Sequence, residues 1–338
     1  MNLVVPAATV PRAAAVLLAA GWLPLAEAHA ARADAMTAAH RARKAAGDRH
    51  PIDDFLYDYY GTKPSLLRRW HPGAGFALGP APDGPAEHAA WRWYATDDDG
   101  TVRLDVEAFL ADRGDTVRFV RTLLTATADR PAHAGCLGLH EWAMVYRQDD
   151  ARRRHTLPLR LGREGTDAVV EAHPLHCSHF DAFRFFTPDA VPRNRVQLTR
   201  ADQVASEQPG CLHANMDLLC RQTDSPDDAE PPPLTRQTQV LYEQPGCLHA
   251  NMDLLKWSMK LGPAVPGDLL LDCFELAGEI RLLDMQASPY ELSSLGERAV
   301  AIETREGKAE YVARQRDFAE RAAALRRRLI HVCDNVVP

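Results

Sequence analysis

Apolar and polar positions along this chain recur mostly at helical spacing. From about Pro24 to Ala46 the chain is rich in Ala, Glu and Arg with no internal Gly, which predicts a long helix. HPIDDFLYDYY (His50–Tyr60) opens on a His-Pro turn and predicts a helix start. A short segment, Leu66–Trp70, leads into HPGAGFALGPAPDGP (His71–Pro85), whose density of Gly and Pro marks a loop. WRWYATDDDGTVRLDVEAF is either a strand pair around its Asp-Asp-Gly turn or a loop before a helix. The stretch Asp105–Arg130 reads as two helices parted at Gly114, and CLGLHEWAMVYR (Cys136–Arg147) fits a buried helix. The strongest strand signals are TLPLRLG (Thr156–Gly162) and TDAVVEAHPLHCSHFDAFRFF (Thr166–Phe186). Helical spacing returns from Cys247, through MDLLKWSMKLG and DLLLDCFELAGEIRLLDMQA, to an Ala/Glu/Arg-rich helix from about Gly307 to Leu329. The pattern predicts a mainly α protein: one large helical domain over residues 1–338, with a small β element in the centre.

One segment interrupts this pattern. EQPGCLHANMDLL occurs at Glu207–Leu219 and again, unchanged, at Glu243–Leu255. The likeness extends upstream, where LTRADQVAS (Leu198–Ser206) aligns with LTRQTQVLY (Leu234–Tyr242). Downstream the copies part. The first runs into CRQTDSPDDAEPPP (Cys220–Pro233), acidic and Pro-rich, a composition that does not pack. The second runs into KWSMKLGP, which extends a helix. Two copies with such a joint do not make a solenoid. The expectation is a tandem duplication over residues 198–233 that contains a disordered linker. Cys247, His249 and Asp253 are then the working set, and Cys211, His213 and Asp217 their duplicates.

The net charge of −7 counts against a strongly electrostatic nucleic-acid binder, because phosphate contacts need a basic surplus. RDFAERAAALRRRL (Arg316–Leu329) is a candidate basic face, or a solvated helix face. The seven cysteines are irregularly spaced with no CxxC, which argues against a disulfide framework or a zinc ribbon and for a reducing, cytoplasmic setting. AAAVLLAA (Ala13–Ala20) is shorter than a membrane span of roughly 20 residues and reads as the start of a helix rather than as a leader.

Several phrases together carry a family resemblance: HPIDDFLYDYY, RRWHPGAG (Arg68–Gly75), GLHEWAMVYR (Gly138–Arg147), HCSHFDAFRFFTP (His176–Pro188), EQPGCLHANMDLLKW and LLLDCFELAGEIRLLDMQASPYEL (Leu269–Leu292). The set resembles a bacterial, mainly actinobacterial, family catalogued as 3-methyladenine DNA glycosylases, from about Trp22 to Leu329. The resemblance implies hydrolysis of the N-glycosidic bond of alkylated bases, with alkylated DNA as partner. The duplicated segment departs from the family pattern, and the chain shows no helix-hairpin-helix signature.

Read from the residues, glycosidic hydrolysis needs a carboxylate to hold water or an oxocarbenium-like sugar, and aromatic faces to stack an extruded base. Asp253, Glu275 and Asp284 are the carboxylate candidates, with Asp272 and Glu279 at helical spacing beside them. Trp257, four residues after Asp253, shares its helix face, and Tyr60, Trp70 and His249 complete the substrate-binding set. A second reading is a metal-dependent enzyme acting on a small molecule. EAHPLHCSHFD places His173, His176, Cys177, His179 and Asp181 within nine residues, ligand types that suit zinc or iron. His249 and Asp253 would complete the shell, and His140 with Glu141, or His50 with Asp54, are further donors. A third reading takes Cys247 or Cys177 as a nucleophile. A fourth is a helical binding module with no turnover.

Overall fold

The computed structural model describes residues 14–132, 137–149, 157–175, 185–194, 240 and 243–337. The Ala-rich run forms helix α1 (Ala19–Ala46), which ends where Gly47 turns left-handed and its N–H reaches back to the carbonyls of Arg43 and Lys44. Two short helices follow, α2 (Phe55–Tyr59) and α3 (Pro64–Leu67). A four-stranded sheet then assembles from β1 (Ala15–Leu17), β2 (Phe76–Leu78), β3 (Tyr94–Thr96) and β4 (Val102–Leu104). Its order is β1-β2-β4-β3, with β1 parallel to β2 and the other neighbours antiparallel.

The fold is therefore mainly α with a small β element, but the sheet lies in the first third of the chain rather than in the centre. Three expectations change with it. The run around Ala15–Leu17, expected to be helical, is an edge strand in register with Phe76–Leu78. Thr166–Ala172, expected to be a strand, belongs to helix α6 (Gly162–Ala172). Its Val-Val pair suggests β structure, yet the buried residues Thr166, Val169 and Val170 recur at helical spacing. Of TLPLRLG, Leu159 makes one isolated antiparallel bridge to Tyr290. The strand pair around Asp-Asp-Gly does form, as β3 and β4.

Helix α4 (Val106–Ala128) is unbroken. Asp105 caps it by accepting the Ala108 N–H at 2.9 Å, and Gly114 continues the helix on its buried side instead of parting it. Beyond α5 (Leu139–Ala143) and α6, the second copy of the repeat forms α7 (Leu248–Met252) and α8 (Leu254–Leu261), followed by α9 (Gly267–Gln286) and α10 (Arg305–Val336). Thr304 caps α10 through the Gly307 N–H at 3.0 Å. A Cβ on Gly307 would lie 2.0 Å from the Ala301 carbonyl oxygen, so only glycine lets the chain enter this helix. The core sits where α4 packs along α10 and where α7, α8 and α9 close against them.

Leu248, Leu254 and Leu255 of the second copy are all core residues. The first copy and its linker lie outside the described residues. Deleting Leu198–Pro233 removes none of the described structure, so the shortened chain should fold, with the helical circular dichroism and melting point of the full chain. Loss of soluble expression would refute this.

Near the sheet, three histidines are built into an aromatic nest. His29 Nε2–H donates to the Leu67 carbonyl and His88 Nε2–H to the Trp70 carbonyl, each at 2.8 Å. His71 Nδ1 bonds the Tyr94 hydroxyl at 2.8 Å and its ring stacks on that of Tyr94. Burial lowers all three pKa values, that of His71 to about 3. The unfolded chain takes up these protons near pH 6.5, whereas the folded protein resists them. Stability is therefore full above about pH 6.5 and falls as the pH drops below it, by up to about 1.4 kcal/mol per pH unit for each such histidine. Urea midpoints at pH 7, 6 and 5 should decline, and His71→Gln should flatten the decline. Equal midpoints across this window would rule the effect out.

Candidate functional site

Three elements meet at a buried polar centre. Helix α5 delivers His140 and Glu141. It starts at Gly138, whose φ of 73° is left-handed, and is anchored by Trp142, whose indole N–H donates to the Ala287 carbonyl at 2.9 Å. Helix α9 delivers Asp284 and, one turn earlier, Arg281. Helix α7 delivers His249, whose ring lies 5.5 Å from that of His140. One ligand atom from each of His140, Glu141 and Asp284 falls within 4.8 Å of the others. The side chains of His140, Glu141 and Asp284 are only 4%, 13% and 9% exposed, so this is not a solvated acidic surface.

Arg281 orients the centre. Its Nη1 holds Asp284 Oδ2 at 2.9 Å and lies 4.0 Å from Glu141, while Asp284 Oδ1 is 3.5 Å from His140 Nε2. Burial works against a charge on Asp284, but the hydrogen bond and charge of His140, with Arg281 and His249 behind them, outweigh it and hold the carboxyl well below its usual range. For His249, burial first and then the neighbouring His140 lower the pKa, so its ring is neutral at pH 7. With the His140 ring neutral, as a metal ligand must be, two carboxylates against one guanidinium give the centre a single negative charge. Such a site favours a bound cation, or positive charge developing in a transition state.

The structure distributes the expected site residues unevenly. Asp284 and His249 come together at this centre, joined by His140 and Glu141, which had figured only as further donors. Asp253 sits beside it, four residues after His249, and accepts hydrogen bonds from the Tyr60 hydroxyl and from Lys256 Nζ, both at 2.8 Å. Burial and then the Asp253 charge push the Tyr60 phenol well up, so it remains a donor. Glu275 is elsewhere: nine residues, about 13 Å, along α9 from Asp284, half-exposed and paired with Arg32. Neither tryptophan offers a free face to a base. Trp257, 2% exposed, packs edge-on against Phe119 beneath Lys256, and Trp70 stacks on Trp22 in the sheet core. His50 and Asp54 form a structural knot with His40 and Arg43. His176, Cys177, His179 and Asp181 lie outside the described residues, and His173 donates to the Val169 carbonyl. Cys247 precedes α7, a single helical turn too short to bring a helix dipole to bear on its thiol.

Arg281 is the residue that the sequence reading missed. Its signal was an Arg-x-x-Asp step inside LAGEIRLLDM, where helical spacing brings the two charges together among apolar neighbours. The candidate basic face is largely neutralised. Arg321 pairs with Glu279, Arg328 with Asp268 and Asp272, and Arg326 is buried against Asn251. Among the described residues, no helix is long and apolar enough to cross a membrane. No protein-family model, curated protein or solved structure matches the chain.

Proposed function

We propose that this protein is a metal-dependent enzyme acting on a small molecule, with its centre at His140, Glu141, His249 and Asp284. The convergence of His140, Glu141 and Asp284 in a buried site carries this reading. Imidazole nitrogen and carboxylate oxygen are the donors of zinc and of non-haem iron, and the buried negative charge favours a divalent cation. A metal held there would supply Lewis acidity and an activated water. Arg281 fixes the Asp284 carboxylate from behind, in the way that hydrogen-bonded partners orient ligating groups. Asp253, clamped by Tyr60 and Lys256, supplies an adjacent polar surface for the substrate. The test is metal content: the purified chain should carry, or take up, one zinc or iron per molecule, and His140→Ala should lose it. Unchanged occupancy in that variant would remove His140 from the ligand set.

A second reading uses the same carboxylate. Asp284, ionised in a buried site, suits the stabilisation of an oxocarbenium-like sugar, as in the 3-methyladenine DNA glycosylase activity that the sequence resemblance implies. The paired arginines of α10 and the buried tryptophans weigh against it, since both phosphate contacts and base stacking lose their groups. Release of free 3-methyladenine from methylated duplex DNA, lost in Asp284→Asn and independent of chelators, would favour this reading over the metal. No release beside an active control glycosylase would end it.

A further inference from the structure

Besides His249, the repeated phrase EQPGCLHAN contains residues that are held by directed hydrogen bonds. In the second copy, Gln244 accepts the Gly246 N–H through its side chain at 2.7 Å, and Asn251 donates to the Pro245 carbonyl at 2.9 Å. The phrase thus closes on itself around the turn that launches α7, with His249 between its two ends. Helix α10 grips both ends. Gln315 Nε2 donates to the Gly246 carbonyl at 2.8 Å, and Arg326 Nη2 donates to Asn251 Oδ1 at 2.6 Å. Gln315 and Arg326 are eleven residues apart, about three turns, and so share one face of the helix.

We propose that Gln315 and Arg326 are positioning residues, which fix the turn before α7 and thereby aim His249 at His140, Glu141 and Asp284. The inference rests on the centre proposed above. Its energetics favour geometry over stability. Gln315, Asn251 and Arg326 are each no more than 1% exposed, and burying a guanidinium is costly unless its hydrogen bonds are met. Arg326 Nε and Nη1 and Gln315 Oε1 have no partner among the described residues. A well-packed hydrophobe would serve a purely structural need there at least as well. What it would not do is hold Asn251 and Gly246 by directed bonds at both ends of the segment that bears His249. Groups that orient ligands in this way typically change metal affinity by about 10- to 100-fold when removed.

The experiment compares full-length wild type with Arg326→Met, Arg326→Lys and, as an exposed control on the same helix, Arg321→Lys. Two quantities are read: Co(II) affinity by absorbance titration, and the 15N imidazole resonances of His249 in metal-free protein. Arg326→Met should lower Co(II) affinity about 10- to 100-fold and move the His249 resonances. Arg326→Lys should restore most of both, and Arg321→Lys should alter neither. A folded Arg326→Met protein with wild-type affinity and unmoved His249 resonances would overturn the proposal. If Arg326→Met does not fold, Gln315→Met, which cuts only the bond to Gly246, is read by the same criteria. If the wild type takes up no Co(II), the metal reading fails, and the resonances of His249 alone decide the positioning role.

Discussion

Asp284→Asn should lose both metal and stability, whereas Glu275→Gln should lose neither. The two carboxylates sit on the same helix and look alike in the sequence. Asp284 is buried between Arg281 and His140, so amidation removes a proposed ligand and the nearer counter-charge of the Arg281 guanidinium, which is 5% exposed and keeps only Glu141, at 4.0 Å. Breaking a buried pair from one side costs about 3–5 kcal/mol, a large part of the roughly 5–15 kcal/mol that holds a domain folded. Metal affinity should fall by more than about 100-fold, beyond what loss of an orienting group alone produces. Glu275 shares an exposed contact with Arg32, worth at most about 1 kcal/mol. Zinc titration calorimetry and urea unfolding of the three proteins check both halves. An Asp284→Asn protein that binds zinc like the wild type would sink the metal centre, whatever its stability.

The contrast between Glu275 and Asp284 also shows what the sequence could tell. Long helices were legible because their apolar residues repeat over many turns, as in α1, α9 and α10. The three-residue strands β1 and β2 were not, because alternation needs more positions than Ala15–Leu17 or Phe76–Leu78 provide, whereas β3 and β4 were marked by the Asp-Asp-Gly turn between them. Gly114 was misread as a break because propensity penalises glycine in a helix by only about 1 kcal/mol, and packing of α4 along α10 outweighs that. At the centre, Asp284 and His249 could be named from residue type. Their company could not, since His140, His249 and Asp284 come from three separated stretches that only the packing of α5, α7 and α9 brings together. The densest histidine phrase in the sequence drew attention to residues 173–181. The pair embedded in LGLHEWAMVY, with apolar neighbours on both sides, is a second indicator, because a charged residue in such a run tends to be buried by its surroundings.

Arg281→Met separates electrostatics from packing. Methionine fills much of the same volume and can keep contact with Phe55, whose ring lies 4.1 Å from the guanidinium. What it cannot do is balance Glu141 and Asp284, which would then face each other in a buried site. The variant should be destabilised at pH 7 by about 3–5 kcal/mol. The pH dependence gives the sign. In the wild type Asp284 is held below its usual value, so its contribution is present at neutral pH and lost only as the pH falls below the ordinary carboxylate range near 3.8. Without Arg281 the Asp284 pKa should rise from its low value, because burial still opposes its charge and only the His140 hydrogen bond and the neighbouring histidines still favour it. The folded variant then binds a proton more readily than the folded wild type, so its stability relative to wild type should recover as the pH falls toward the carboxylate range. A divalent cation should rescue it by the other route, since ligand at 100 times its Kd adds about 2.7 kcal/mol. Rescue by acid and by zinc together is the signature of an excess of negative charge at this centre. A variant that acid and zinc leave equally unstable would mean that Arg281 acts through packing alone, and the anionic character assigned to the centre would have to be withdrawn.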